Sequence, residues 1–187
     1  LVALAAVPPV GGLLNQPFYV DLVRRVMIFA IAALSLDLIL GYGGMVSFGH
    51  AAYLGIGAYA VGILAHHGIH NGVLQWSLAI AASMAVALVI GAVSIRTSGV
   101  YFIMITLAFT QMLYYLGISI EEYGGDDGMR LAVRSQFPGP LDLRNGTVFY
   151  YVVLGILLLF LVLAHRLIAA RFNLVIRAAR SNEARMR

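Results

Sequence analysis

Ser47 and His50 lie three residues apart in a strongly apolar stretch, and Asp37 precedes Ser47 by ten residues. Three side chains able to hydrogen-bond or carry a proton therefore share one short region. Ser47 sits four residues before Ala51, where a helical run of small residues begins, and its hydroxyl is placed to cap that helix. Such a start also presents unpaired amides and a positive dipole end, which suits a substrate carboxylate. A plainer reading stands beside it, with Ser47 only a cap and His50 only a packed, hydrogen-bonded residue. Asp37 interrupts an apolar run, so it must face the bundle interior or water. A functional role or a local hydrogen bond, to Ser35 or a partner helix, accounts for it equally well. Hydrolysis has little support, because there is no Gly-x-Ser-x-Gly elbow, and a serine nucleophile would also need an oriented base and an oxyanion hole.

These residues are set among glycines. Gly41 to Tyr59 contains Gly41, Gly43, Gly44, Gly49, Gly55 and Gly57, six in nineteen residues. Main-chain groups freed by a helix break cannot face hydrocarbon, so a break survives only when buried in protein or lining a watery cavity. Gly41, Gly43, Gly44, Ser47, Gly49 and His50 are thus candidates for a transport pathway, joined by Asp37. Farther on, Thr106 and Thr110 fall on one side of a long span with Gly99 and Gly117, Gln111 lying off that stripe. Such a face either lines a path or bonds to a neighbouring helix. Ala51, Gly55, Ala58 and Gly62 share a face that would admit another helix closely.

Other clusters carry less. His66, His67 and His70 have the spacing of metal ligands, yet they sit beside Gly68, Asn71 and Gly72 without a nearby carboxylate or cysteine, which predicts a solvated loop. Gly125-Asp-Asp-Gly128 lacks the alternating acidic ligands of a calcium loop and reads as a turn. Gly41-Tyr-Gly43 is filter-like, but Ile39 and Leu40 replace the threonine and valine of potassium filters. An ion channel or ATP-independent small-solute transporter remains the alternative function, and an intramembrane enzyme is weaker still.

The elements that must position these residues follow from composition. The chain of 187 residues is 61% hydrophobic and 11% charged, with a mean hydropathy of +0.92. A soluble domain has a charged fraction of about 25%. The chain is therefore expected to be an all-α, polytopic helical membrane protein with about six spans and a broken segment at residues 41–50. A span needs roughly 20 apolar residues. The candidates are Val26 to Leu40, Ala51 to Ala65, Val73 to Ile95, Val100 to Ile120 and Thr147 to Ile168, after a truncated first span at Leu1 to Val10 holding Pro8 and Pro9. All twelve basic residues are arginine, and six of them fall between Arg166 and Arg187. That end is expected on the cytoplasmic side, which places a loop over residues 119–147 outside, as a short folded cap. Phe18, Tyr19, Trp76, Tyr114, Tyr115, Tyr150 and Tyr151 then fall at outer headgroup level, while Arg24 and Arg25 fall on the wrong side. The arginines are dispersed, which speaks against nucleic acid as a partner. No cysteine is present, so no disulfide or thiolate chemistry is available.

The string from Ala33 to Tyr59, ALSLDLILGYGGMVSFGHAAYLGIGAY, resembles the signature of permease subunits of branched-chain amino acid ABC importers, the M-type subunit in particular. Arg96 to Phe109 and Arg171 to Arg185 extend the likeness. Asp37 departs from the asparagine common there. The resemblance implies a single permease domain over residues 1–187, truncated at both ends, localised to the bacterial inner membrane. It also implies a second permease, two cytoplasmic ATPase subunits and a periplasmic substrate-binding protein as partners, with membrane lipid around them. ATP and Mg would then be held by the ATPase subunits, and no cofactor by this chain. The residues agree, since the chain has no phosphate loop and no lysine. Under that resemblance, residues 170–187 suit a coupling helix: Phe172, Val175, Ile176 and Ala179 form an apolar face, and Arg177, Arg180, Glu183 and Arg187 supply charged contacts. A positive-inside anchor at anionic headgroups is the plainer use of the same arginines.

Overall fold

The computed structural model describes residues 2–13, 17–42, 44–97, 99–129, 134–137 and 143–169. The coupling residues Arg177, Arg180, Glu183 and Arg187, and the pathway candidate Gly43, lie outside them. The described residues form α1 (Val2–Leu13), α2 (Pro17–Asp37), α3 (His50–His66), α4 (Gly72–Ser94), α5 (Val100–Ser119) and α6 (Gly146–Ala169). No strand is present among them, and the chain is an all-α membrane protein. Helices α4, α5 and α6 are each long and apolar enough to cross a bilayer. The 17 residues of α3 rise about 26 Å, short of the hydrocarbon thickness.

The helices divide into two compact units, one drawn from Leu1–Met45 with Arg144–Arg187 and one from Val46–Leu143. In the first, α2 lies along α6. Met27 meets Tyr150, Val153, Leu154 and Leu157 in a buried cluster, and Leu4 and Val7 of α1 pack onto it. Lipid is as apolar as these side chains, so the gain is close contact rather than escape from water, and polar ties help fix the register. One such tie revises an expectation. α2 begins at Pro17, a residue suited to the first helical position, and not at Val26. Arg24 and Arg25 therefore lie within the helix. Arg24 is 8% exposed; it bonds Asp21 at 2.7 Å and its guanidinium lies 4.9 Å from the centre of the Phe149 ring. Its charge is paired with Asp21 within the helix, while Arg25 beside it stays exposed.

In the second unit, α3 and α4 form a hairpin. α3 closes with a glycine cap: Gly68, at φ +77°, donates to Ala65 O at 3.1 Å and Ile69 donates to Leu64 O at 2.9 Å, satisfying carbonyls at the helix end. Asn71 Oδ1 accepts from Val73 N at 3.1 Å and starts α4. The small-residue face expected on α3 is not the one that meets α4. Nothing stands within 4 Å of a Cβ built on Gly55, whereas one on Gly57 lies 3.4 Å from Ser83 Oγ, and that hydroxyl donates to Tyr53 O at 3.2 Å. Tyr53 and Gly57 are one turn apart, so the hairpin closes on a face rotated from the predicted stripe.

The long loop after α5 folds back onto this hairpin. Short 3-10 turns at Glu121–Tyr123 and Gly125–Asp127 lead to Met129, whose side chain covers Gly62. Residues 134–137 then pair with the α3–α4 connection: Gln136 N donates to His70 O at 2.7 Å and accepts at its carbonyl from Gly72 N at 2.6 Å. Phe137 lies on Gly72 and meets Trp76 edge-on at 5.2 Å. The tryptophan expected at headgroup level is thus engaged by the loop.

Candidate functional site

α2 does not run on into α3. It widens into a π turn at Leu38–Tyr42, a feature often found at functional sites, and residues 44–49 follow without helical structure. Gly44 adopts φ +66°, a conformation that side chains with a Cβ rarely take. The interruption expected at residues 41–50 is present, with Gly41 inside the π turn and His50 already the first residue of α3.

Asp37 and Gly41 are neighbours in the first unit. A Cβ on Gly41 would lie 2.9 Å from Asp37 Oδ1, so the absence of a side chain at 41 leaves room for the carboxylate. Asp37 is exposed, so the described helices of this chain do not by themselves enclose it. Across the turn, Met45 N donates to Ile39 O at 3.3 Å, bringing the chain out of the widened helix.

Ser47, Gly49, His50, Thr106 and Thr110 come together in the second unit. Phe48 is the pivot. Its N–H donates to Thr106 Oγ1 at 3.3 Å, and its carbonyl accepts from Thr110 Oγ1 at 3.2 Å. Both main-chain groups of one non-helical residue are therefore held by two threonines a single turn apart on α5. Thr110 Oγ1 also lies 2.9 Å from Thr106 O, so its single proton is shared between that carbonyl and Phe48 O, whereas Thr106 Oγ1 donates to Ile103 O at 3.0 Å. A threonine bonded back to its own helix can still accept from a neighbour, because its hydroxyl has lone pairs to spare. Gly49 is buried against this pair: a Cβ there would lie 3.5 Å from Thr106 Cβ. Gly117, on the same stripe, faces the Tyr59 ring, with its built Cβ 3.4 Å from Tyr59 Oη. The polar stripe on α5 thus faces the irregular segment and α3.

Ser47 departs from its expected role. Gly49 precedes α3 with no side chain capping it, and Ser47 Oγ accepts from Gly49 N at 3.2 Å. The serine closes a tight turn one step before the helix, because two residues separate it from the first position it could have capped. His50 is half-buried and meets Tyr53 edge-on at 5.8 Å between ring centres. Phe48 went unnoticed in the sequence, since its part is played by the main chain, which side-chain type does not reveal.

His66 and His67 are exposed and stand against Tyr123 at 5.6 and 6.2 Å between ring centres. No group of three or more metal-ligating residues forms among the described residues.

With this geometry in place, likeness to other proteins is informative. The family described as branched-chain amino acid transport system, permease component, matches residues 18–187. The high-affinity branched-chain amino acid transport system permease protein LivM of Escherichia coli (strain K12) is 32% identical over 125 residues, covering 65% of this chain and 28% of that protein. The protein of the same description from Salmonella typhimurium (strain LT2) is 30% identical over an equal stretch, with the same shares covered. The chain matches less than a third of the length of these relatives. No solved structure matches.

Proposed function

Because the chain belongs to the family of branched-chain amino acid transport permease components, we propose that it forms part of the membrane pathway of an ATP-driven importer for branched-chain or related amino acids. The observation that carries this reading is the helix interruption at residues 44–49 with both main-chain groups of Phe48 held by Thr106 and Thr110. An irregular segment fixed in this way offers main-chain amides and carbonyls at membrane depth without loss of the surrounding helices. Asp37, Gly41, Gly44, Ser47, Gly49 and His50 belong to the pathway in this reading. Thr106 and Thr110 position it. ATP hydrolysis takes place on two cytoplasmic subunits, a second permease completes the membrane part, and a periplasmic binding protein delivers the amino acid. Residues 170–187 dock on the ATPase in the inner membrane assembly.

Reconstitution tests this directly. The full-length protein, a second permease and the ATPase subunits are placed in proteoliposomes with the binding protein, and uptake of labelled leucine is followed. Accumulation that requires both ATP and the binding protein is expected. Leucine or ion flux through the isolated protein without ATP would overturn the proposal in favour of a channel.

A further inference from the structure

Two consecutive prolines, Pro8 and Pro9, stand inside α1. A proline has no N–H, so each one leaves the carbonyl four residues earlier without its helical donor. The orphaned acceptors are Leu4 O and Ala5 O. A carbonyl left without a donor in a packed interior is costly, and a proline within a helix is tolerated when a neighbour supplies the missing donor. The neighbour here is α6. Tyr150 Oη donates to Leu4 O at 2.7 Å, and Tyr151 Oη donates to Ala5 O at 3.3 Å. The register is one to one: two adjacent prolines open two adjacent carbonyls, and two adjacent tyrosines close them.

We propose that Pro8-Pro9 and Tyr150-Tyr151 form a hinge and latch, in which the phenol hydroxyls of α6 replace the two missing rungs of α1 and hold the segment before the prolines in place. Tyrosines at this position would otherwise be assigned to the membrane interface, where a ring needs only headgroups and water around its hydroxyl. Tyr150 does not fit that assignment, because it is 0% exposed and its hydroxyl reaches a main-chain acceptor freed by a specific residue of another helix. The segment of α1 before the prolines is thus tied to α6 through side chains, which can release one at a time. The remainder of the helix can swing about residues 8 and 9 without breaking a ladder bond at either carbonyl.

The pairing predicts a crossed pattern of rescue. In the full-length protein in detergent, Tyr150→Phe keeps the ring and loses the donor, and it should lower the unfolding midpoint by about 2–4 °C and speed backbone amide exchange within α1. Pro8→Ala supplies an N–H to Leu4 O, so adding it to Tyr150→Phe should restore most of that loss. Adding Pro9→Ala to Tyr150→Phe should not. The converse holds for Tyr151→Phe, to be rescued by Pro9→Ala and not by Pro8→Ala. Tyr151 is exposed and its variant keeps the buried core intact, so that arm reads out even if Tyr150→Phe accumulates poorly. Additive effects in all four double variants, or rescue without regard to register, would show that the tyrosines only pack and would overturn the latch.

Discussion

Thr106 shows how much one hydroxyl can decide in this chain. It receives the Phe48 N–H and donates to its own helix, so replacing the hydroxyl by a methyl leaves a main-chain donor without its acceptor. Thr106→Val should therefore cost about 0.6 kcal/mol of stability and at most about 1.7, the average and the maximum for hydrogen bonds between membrane helices. Thr106→Ser, which keeps the oxygen, should cost less. Thermal unfolding in detergent distinguishes them, and equal midpoints for the two variants would remove the clamp. Arg24 and Arg25 make a second contrast. They are adjacent in sequence, yet Arg24 is buried against Phe149 and Asp21 while Arg25 is exposed. Arg24→Ala loses packing along the aliphatic stem as well as the ion pair, and it should lower the midpoint clearly more than Arg25→Ala. A larger drop for Arg25→Ala would place the supporting contacts on the wrong arginine.

At the scale of elements, the long loop is a fastened structure whose glycines are not equivalent. Gly124 sits at φ +99°, and a Cβ on it would lie 2.5 Å from Gly128 O, a main-chain atom. Gly124→Ala then combines a left-handed conformation costing about 1–2 kcal/mol with a clash that side-chain movement cannot relieve. Gly55, inside α3, has nothing within 4 Å of its Cβ position. Alanine there should be neutral or stabilise by up to about 1 kcal/mol through helix propensity. Limited proteolysis should report loosening of the loop only in Gly124→Ala, and cleavage appearing equally in Gly55→Ala would show that the 3-10 turns do not hold it.

For the whole molecule, the open question is how work performed elsewhere reaches the helices. In the reading proposed above, the segment at 170–187 transmits it, and Glu183 is its most telling residue because it stands among arginines that a headgroup anchor would favour throughout. In the full-length importer, Glu183→Arg should insert normally but separate ATP hydrolysis from uptake, reducing transport about tenfold or more, equivalent to about 1.4 kcal/mol of lost coupling. Normal uptake with normal substrate-stimulated hydrolysis in that variant would return the segment to an anchor.

The sequence by itself determined what depends on composition and local periodicity. An apolar chain with glycines at 41, 43, 44 and 49 had to be helical, membrane-bound and interrupted there, because hydrocarbon leaves few other arrangements for the main chain. The family signature was legible for the same reason, being a local string. Tertiary structure decided what depends on which groups meet across helices. Helical spacing placed Thr106 and Thr110 on one side of α5 but could not show that side facing Phe48. Pro8 and Pro9 leave two carbonyls without donors once α1 is helical, and only the packing of α1 on α6 brought Tyr150 and Tyr151 to them. Arg24 looked misplaced until Asp21 and Phe149 were seen beside it. A hydrogen bond between residues more than a hundred positions apart leaves no mark on the periodicity of either segment, since it is set by how helices turn and dock after their individual patterns are satisfied.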